Sequence, residues 1–120
     1  MYARMVTSFV KPYQLENMTA IYREKLLPML EIQPGFKGLY VFNDADMNKE
    51  ISITLWDRLV DMEAFNVNLL ALRDEIVPLL KKAPDVQIFD VAIPAADKPF
   101  PIGFNEMSLG VRIENPFTTD

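Results

Sequence analysis

Few side chains in this 120-residue sequence can do chemistry, and the missing types decide as much as those present. It has no histidine and no cysteine. The first absence removes the usual general base near neutral pH, Ser-His triads, proximal-histidine haem ligation and the imidazoles that most zinc sites use. The second removes disulfides, thiolate metal sites and cysteine nucleophiles. Any base must then be a carboxylate, a tyrosine or solvent. Tyr22 is the leading candidate, because it sits on the apolar stripe of a helix where the residue fifty positions on, Leu72, is purely apolar. A phenol there either donates a hydrogen bond to a bound molecule or satisfies itself on a carbonyl. Arg4 is a charge inside an apolar strand, so it needs a partner or a route to solvent. It either holds an anion or pairs with Asp57 or Asp90. Trp56, the single tryptophan, either packs between strand and helix or stacks on a ligand. Asn66 and Asn68 either orient a carbonyl or are ordinary surface.

Other motifs are weaker. Asp44-Ala45-Asp46-Met47-Asn48 begins like a calcium loop, but its sixth position is Lys49 where glycine is required and its twelfth is Leu55 where glutamate is required. It reads as a hairpin turn. The four glycines show no phosphate-loop spacing. A net charge of −5 with a pI near 4.7 argues against nucleic acid, whose affinity comes mainly from phosphate neutralisation. The adjacent pair Lys81-Lys82 closes a helix, where cations complement the dipole. No apolar run approaches the ~20 residues of a membrane span, and the first residues carry no signal-peptide pattern. The expectation is a cytoplasmic protein without metal or cofactor, acting on neither nucleic acid nor membrane. The seven methionines read as adaptable core packing.

The elements that must position these residues come in two copies. REKLLPMLEIQPGFKGLYVF at 23–42 aligns with RDEIVPLLKKAPDVQIFDVA at 73–92, pairing Pro28 with Pro78 and Pro34 with Pro84. Upstream, Ala3 and Met5 fall on Ile53 and Leu55, and Leu15 on Phe65. A period of this length marks one supersecondary unit used twice. The unit reads strand, helix, strand. Tyr2 to Val10 is the first strand. Leu15, Met18, Tyr22, Leu26 and Met29 recur at spacings of three and four and predict a helix over about 13–32. Pro28 should kink that helix or end it early. Strands follow over 36–43 and 50–57, a continuous second helix over about 59–82, and a fourth strand over 85–93. The predicted fold class is α+β: a ferredoxin-like doubled β-α-β with a four-stranded antiparallel sheet and both helices on one face. It occupies residues 1–93. Residues 94–120 break the repeat with Pro94, Pro99, Pro101 and Pro116 and form an arm. Within it, alternation over 107–114 predicts a short fifth strand that lies on its own sheet edge or crosses to a partner.

With helices on one face only, the other face should be polar. Instead Tyr40 and Phe42 alternate with Leu39 and Val41, and Val86 and Ile88 with Phe89 and Val91, so the strands are apolar on both sides. A bare apolar sheet face exceeds the ~300–600 Å² patch usual on monomers and offers about the 800 Å² per partner of a standard interface. The expected partner is a second copy packed face to face, with the C-terminal arm as the alternative cover.

Two stretches resemble a known family. Pro34-Gly35-Phe36-Lys37-Gly38 is similar to its "pGf.g" step, and Ile53-Thr54-Leu55-Trp56-Asp57 followed by Met62-Glu63-Ala64-Phe65 to its "l.lt.W…eaf" step. They resemble the antibiotic biosynthesis monooxygenase domain of the dimeric α/β-barrel superfamily, over residues 1 to about 93. The resemblance implies a ligand pocket between helices and sheet, with Tyr22, Arg4 and Trp56 as the chemical side chains and Thr54, Asn66 and Leu72 as further lining. It implies either a cofactor-independent monooxygenase, or related isomerase, of a small aromatic or quinol-type molecule, or a non-catalytic dimeric barrel that binds a small hydrophobic ligand or serves in assembly. The haem-degrading branch is set aside: the second helix has no histidine or tryptophan, and the first strand no asparagine. An open cavity of roughly 300 Å³ or more reached by both Tyr22 and Arg4 favours the enzyme; a space filled by methionines and leucines favours the non-catalytic barrel.

Overall fold

The fifty-residue period becomes a spatial symmetry in the computed structural model, which describes residues 1–94. Strands β1 (Tyr2–Phe9), β2 (Phe36–Asp44), β3 (Lys49–Trp56) and β4 (Asp85–Asp90) form one sheet in the order β2-β3-β1-β4, every pair antiparallel. This is the ferredoxin-like α+β arrangement. Arg4 lies directly opposite Thr54, its own repeat mate. Above the sheet, Lys25 of the first helix is ion-paired with Glu75 of the second, also fifty positions on. A pseudo-twofold axis therefore passes between the central strands and between the helices.

The first helix, α1, occupies residues 15–31. It is α-helical over Leu15–Ile21, opens into a π turn at Tyr22–Leu26, and is α-helical again over Leu27–Glu31. Pro28 explains the π turn. Its ring collides with the carbonyl four residues back, at Glu24, and it brings no N–H. The wider turn, closed by the Leu27 N–H on the Tyr22 carbonyl, lets the helix continue past the proline. Of the two expected effects, a kink or an early end, the helix does not end early; it is disturbed instead, and the irregularity falls at the candidate tyrosine.

The second helical region, α2, corrects the expectation of one helix over 59–82. It occupies residues 59–79 as short pieces: Leu59–Ala64, Asn66–Leu69, a 3₁₀ turn at Leu70–Leu72, Arg73–Ile76, and a 3₁₀ turn at Val77–Leu79. Asn66, Val67 and Asn68 are poor helix formers placed in succession, and Pro78 removes an N–H near the end. The last turn is tied back to β1 by Lys11 N–H on the Leu79 carbonyl and Lys81 N–H on the Phe9 carbonyl, at 2.8 and 2.9 Å. Between α1 and β2, Gly35 adopts φ 77°, and its carbonyl accepts from the Asp57 N–H at 2.8 Å, joining the turn to the end of β3. The predicted C-terminal arm and its fifth strand lie outside the described residues.

Both helical regions cover one sheet face. Met18, Leu26 and Leu30 of α1, Met62, Phe65 and Leu72 of α2, and Trp56 of β3 form the buried core. Alternation along the strands assigns the rest. Arg4, Val6 and Ser8 of β1 and Glu50, Ser52 and Thr54 of β3 face the helices. Ala3, Met5, Ile51, Ile53, Leu55, Tyr40, Phe42 and Phe89 belong to the opposite face. Arg4, Ser8, Glu50, Ser52 and Thr54 thus turn inward, while Met5, Ile51, Ile53 and Leu55 turn outward. Tyr40 and Phe42 are 54% and 53% exposed there, with rings stacked 6.2 Å apart. No helix among the described residues is long and apolar enough to cross a membrane.

Candidate functional site

A cavity of about 290 Å³ opens between the inner sheet face and the helices. Its floor is Arg4, Val6, Ser8, Ser52 and Thr54, all on the central strands. Tyr22 and Leu26 descend from α1, Phe65 and Leu69 from α2, and Trp56 closes one side. Leu70, Arg73 and Val77 line it from exposed positions on α2 and so form its solvent side.

Tyr22 is 6% exposed, and the hydroxyls of Ser52 and Ser8 lie beside its own. Burial, reinforced by the nearby Glu50 carboxylate, pushes its phenol up to about 12 against the pull of those two hydroxyls. Trp56 is held by aromatic contacts on two sides: Phe36 edge-on at 5.6 Å and Phe65 tilted at 5.7 Å. Its indole Nε1 is a buried donor without a protein partner among the described residues. Arg4 makes no ion pair among the described residues. The expected pairing with Asp57 or Asp90 is not formed, since Asp57 pairs with Lys37 at 3.2 Å. Arg4 instead donates from Nη1 to the Asn66 Oδ1, while its Nε is buried and unpartnered. Burial lowers its pKa from the ordinary arginine value.

Tyr22, Arg4, Trp56 and Thr54 are therefore brought to one cavity. Asn66 does not line it but holds Arg4 from behind. Leu72 belongs to the closed core beneath α2 and is not part of the wall. The sequence reading missed Ser8, Ser52, Arg73 and, above all, Glu50. Among the described residues, Ser8, Glu50 and Ser52 are the buried polar positions, and they are neighbours. Ser8 faces Glu50 across the β1–β3 pair, and Ser52 lies two residues further on the same face. Glu50 is 1% exposed; its Oε2 accepts from the Thr19 hydroxyl at 2.8 Å, and Thr19 in turn accepts from the Asn43 amide at 2.9 Å. Burial raises the Glu50 carboxyl above the ordinary range, with the Thr19 bond opposing. The signal for this cluster was in the sequence, as the polar half of the β3 alternation.

No protein-family model matches this sequence, and no curated protein matches it. Solved structures do. A Nitrosomonas europaea protein provisionally named as an antibiotic biosynthesis monooxygenase superposes with a TM-score of 0.69 at 18% identity, over 78% of this chain and 100% of that one. A second antibiotic biosynthesis monooxygenase gives 0.66 at 20% identity, over 78% and 100%. A monooxygenase from the ActVA-Orf6 gene of Streptomyces coelicolor, solved with nanaomycin D bound, gives 0.63 at 16% identity, over 78% and 92%. The chain has the fold of the antibiotic biosynthesis monooxygenase domain, the same group that its Pro34–Gly38 and Ile53–Phe65 stretches resemble.

Proposed function

We propose that this chain is a homodimeric, cofactor-independent monooxygenase of a small phenolic arene, acting in the cytoplasm. The observation that carries the reading is the cavity of about 290 Å³ on which a phenol, a guanidinium and an indole converge. That volume is at the lower edge of the usual 300–1,000 Å³ for small-molecule sites, which suits two or three fused rings. The likeness to a protein that holds nanaomycin D supports the same class of occupant.

In this reading the substrate loses a hydroxyl proton, and the electron-rich anion reduces dioxygen directly. One oxygen atom bonds to the ring carbon opposite the hydroxyl, whose C–H breaks, and the other leaves as water. The products are a quinone and water, so atoms and electrons balance without an outside reductant. The protein supplies a dry, shaped cavity, with Arg4 for the anion, Trp56 for stacking and Tyr22 for hydrogen bonding at the oxygen. The buried free donors Arg4 Nε and Trp56 Nε1 are suited to charge that develops during the reaction. The second copy packs on the apolar outer sheet face, whose size suits a standard interface.

The test uses 1,5-dihydroxynaphthalene, whose monooxygenation at the ring carbon para to one hydroxyl gives juglone and water. The expected result is quenching of Trp56 fluorescence on binding and protein-dependent juglone formation, with one dioxygen consumed per quinone. Quenching without turnover above the buffer rate would replace the enzyme with a hydrophobic-ligand carrier. Neither quenching nor turnover would remove the pocket from the function.

A further inference from the structure

A chain without histidine still has to put the substrate's proton somewhere, and Arg4, Trp56 and the hydroxyls of the cavity cannot keep it. One carboxylate lies just behind the cavity wall: Glu50 does not line the cavity, but its neighbours Ser8, Ser52 and Tyr22 do. Glu50 faces Ser8 across β1–β3 and Asn43 across β2–β3. Thr19 reaches it from α1, one helical turn before Tyr22, and fixes Oε2 at 2.8 Å. Its other oxygen, Oε1, is buried and has no partner among the described residues. A carboxylate kept only for structure is normally saturated on both oxygens; this one is held on one side and bare on the other.

The groups facing Glu50 are Thr19 and Tyr22 from α1, Ser8 from β1, Asn43 from β2 and Ser52 on its own strand. None is cationic. Arg4 is four residues along β1 from Ser8, roughly 13 Å by strand rise, and Arg73 lines the cavity from exposed α2. No cation among the described residues therefore holds Glu50 ionised. Burial makes its carboxylate a stronger base than an exposed one.

We infer that Glu50 receives the proton the substrate loses, relayed through Tyr22 and the serine hydroxyls between them. This rests on the reaction proposed above. The substrate O–H breaks, its electron pair stays on the substrate, and its proton passes to the Tyr22 hydroxyl oxygen. Tyr22 gives its own proton to the neighbouring Ser8 hydroxyl, which turns to give its proton across the β1–β3 pair to Oε1, an oxygen it does not bond at rest. Tyr22 and Ser8 end neutral as they began, Glu50 becomes a neutral acid, and the negative charge has moved to the substrate.

Glu50→Gln keeps the shape and removes the base. With the same dihydroxynaphthalene, wild-type kcat/KM should fall as pH drops through the raised Glu50 value. The variant should be about 10²- to 10⁴-fold slower and lose that acid limb, while Trp56 quenching is unchanged. A variant that keeps both rate and limb overturns the inference. A wild type that binds but never turns over instead sinks the proposed reaction. A second measurement needs neither turnover nor a folded variant: calorimetry of 1-naphthoate binding to wild type in two buffers of different ionisation enthalpy. An unreactive anion placed beside Tyr22 should draw about one proton onto Glu50 above its pKa. Binding without proton uptake overturns the role of Glu50, and absence of binding overturns the pocket as well.

Discussion

The sharpest test of the assembly is Ile53→Asp. Ile53 lies opposite Met5 on one side and Tyr40 on the other, so these three form a row across the middle of the outer sheet face. The substitution places one carboxylate per subunit at the centre of the proposed contact. Burying an isoleucine side chain contributes about 1.5–3 kcal/mol. Ile53 is already half-buried within its own subunit, so the lower figure applies. A twofold contact counts the loss twice, giving about 3 kcal/mol, or roughly a 10²-fold weaker Kd. Desolvating each unpaired carboxylate adds several kcal/mol more, enough to abolish association at micromolar concentration. The fold should survive, because this face is opposite the core. Sedimentation velocity should show wild type at twice the subunit mass and Ile53→Asp as a monomer with an unchanged far-ultraviolet spectrum. A variant that still sediments as a dimer refutes the face-to-face contact. If wild type is monomeric and deleting residues 95–120 makes it associate, the arm is the cover.

Two further outcomes follow from the buried cluster. Tyr22 is raised to about 12 in the folded chain against 10 for an ordinary phenol, so the folded state holds that proton more tightly. Its contribution is complete below pH 10 and is lost between 10 and 12, about 3 kcal/mol in all; denaturant midpoints should drop across that window in wild type and stay nearly level in Tyr22→Phe, which should also lose quinone formation. Glu50 has the same sign, since its raised folded value stabilises only while it is protonated and the benefit is lost as pH rises through that value. Glu50→Gln should therefore have a higher denaturant midpoint than wild type at neutral pH, and an unchanged or lower midpoint contradicts a charge held there against its solvation.

Much of the architecture was legible because it rests on spacing. The fifty-residue offset announced the doubled unit, and period-two alternation found all four strands to within a few residues. Tyr22 and Arg4 were readable as unlike their apolar surroundings, Trp56 as the single tryptophan, and Thr54 only through the family resemblance. What alternation cannot say is which of two faces meets the helices. Glu50, Ser52 and Thr54 share a face by spacing alone, but a polar face is ordinarily given to solvent, so the cluster around Glu50 passed unseen. The partner of Arg4 was missed for another reason. A charge is expected to find an opposite charge, whereas Asn66 reached it through the broken geometry of α2, which no periodicity encodes. Leu72 was placed in the lining by the family resemblance, whereas its apolar stripe already pointed to the closed core in which it lies. The π turn at Tyr22 shows the limit of proline rules: they locate the disturbance at Pro28 but not how the helix absorbs it.

The inward polar stripe and the outward apolar face are one property of the central strands. Side chains alternate across a strand, so a β3 that turns Glu50, Ser52 and Thr54 toward the helices must turn Ile51, Ile53 and Leu55 away from them. Shifting the register by one residue would exchange the two sets, closing the cavity with isoleucine and leucine and giving solvent the polar face. That alternative is the ordinary arrangement for a monomeric sheet. The observed one carries a desolvated carboxylate inside and exposed aromatic rings outside, each unfavourable alone. Both costs are accounted for together if the cavity works on a proton and the outer face is covered by a second copy. Loss of the dimer and loss of the Glu50 proton uptake are then independent failures, because Ile53 and Glu50 sit on opposite faces of the same strand.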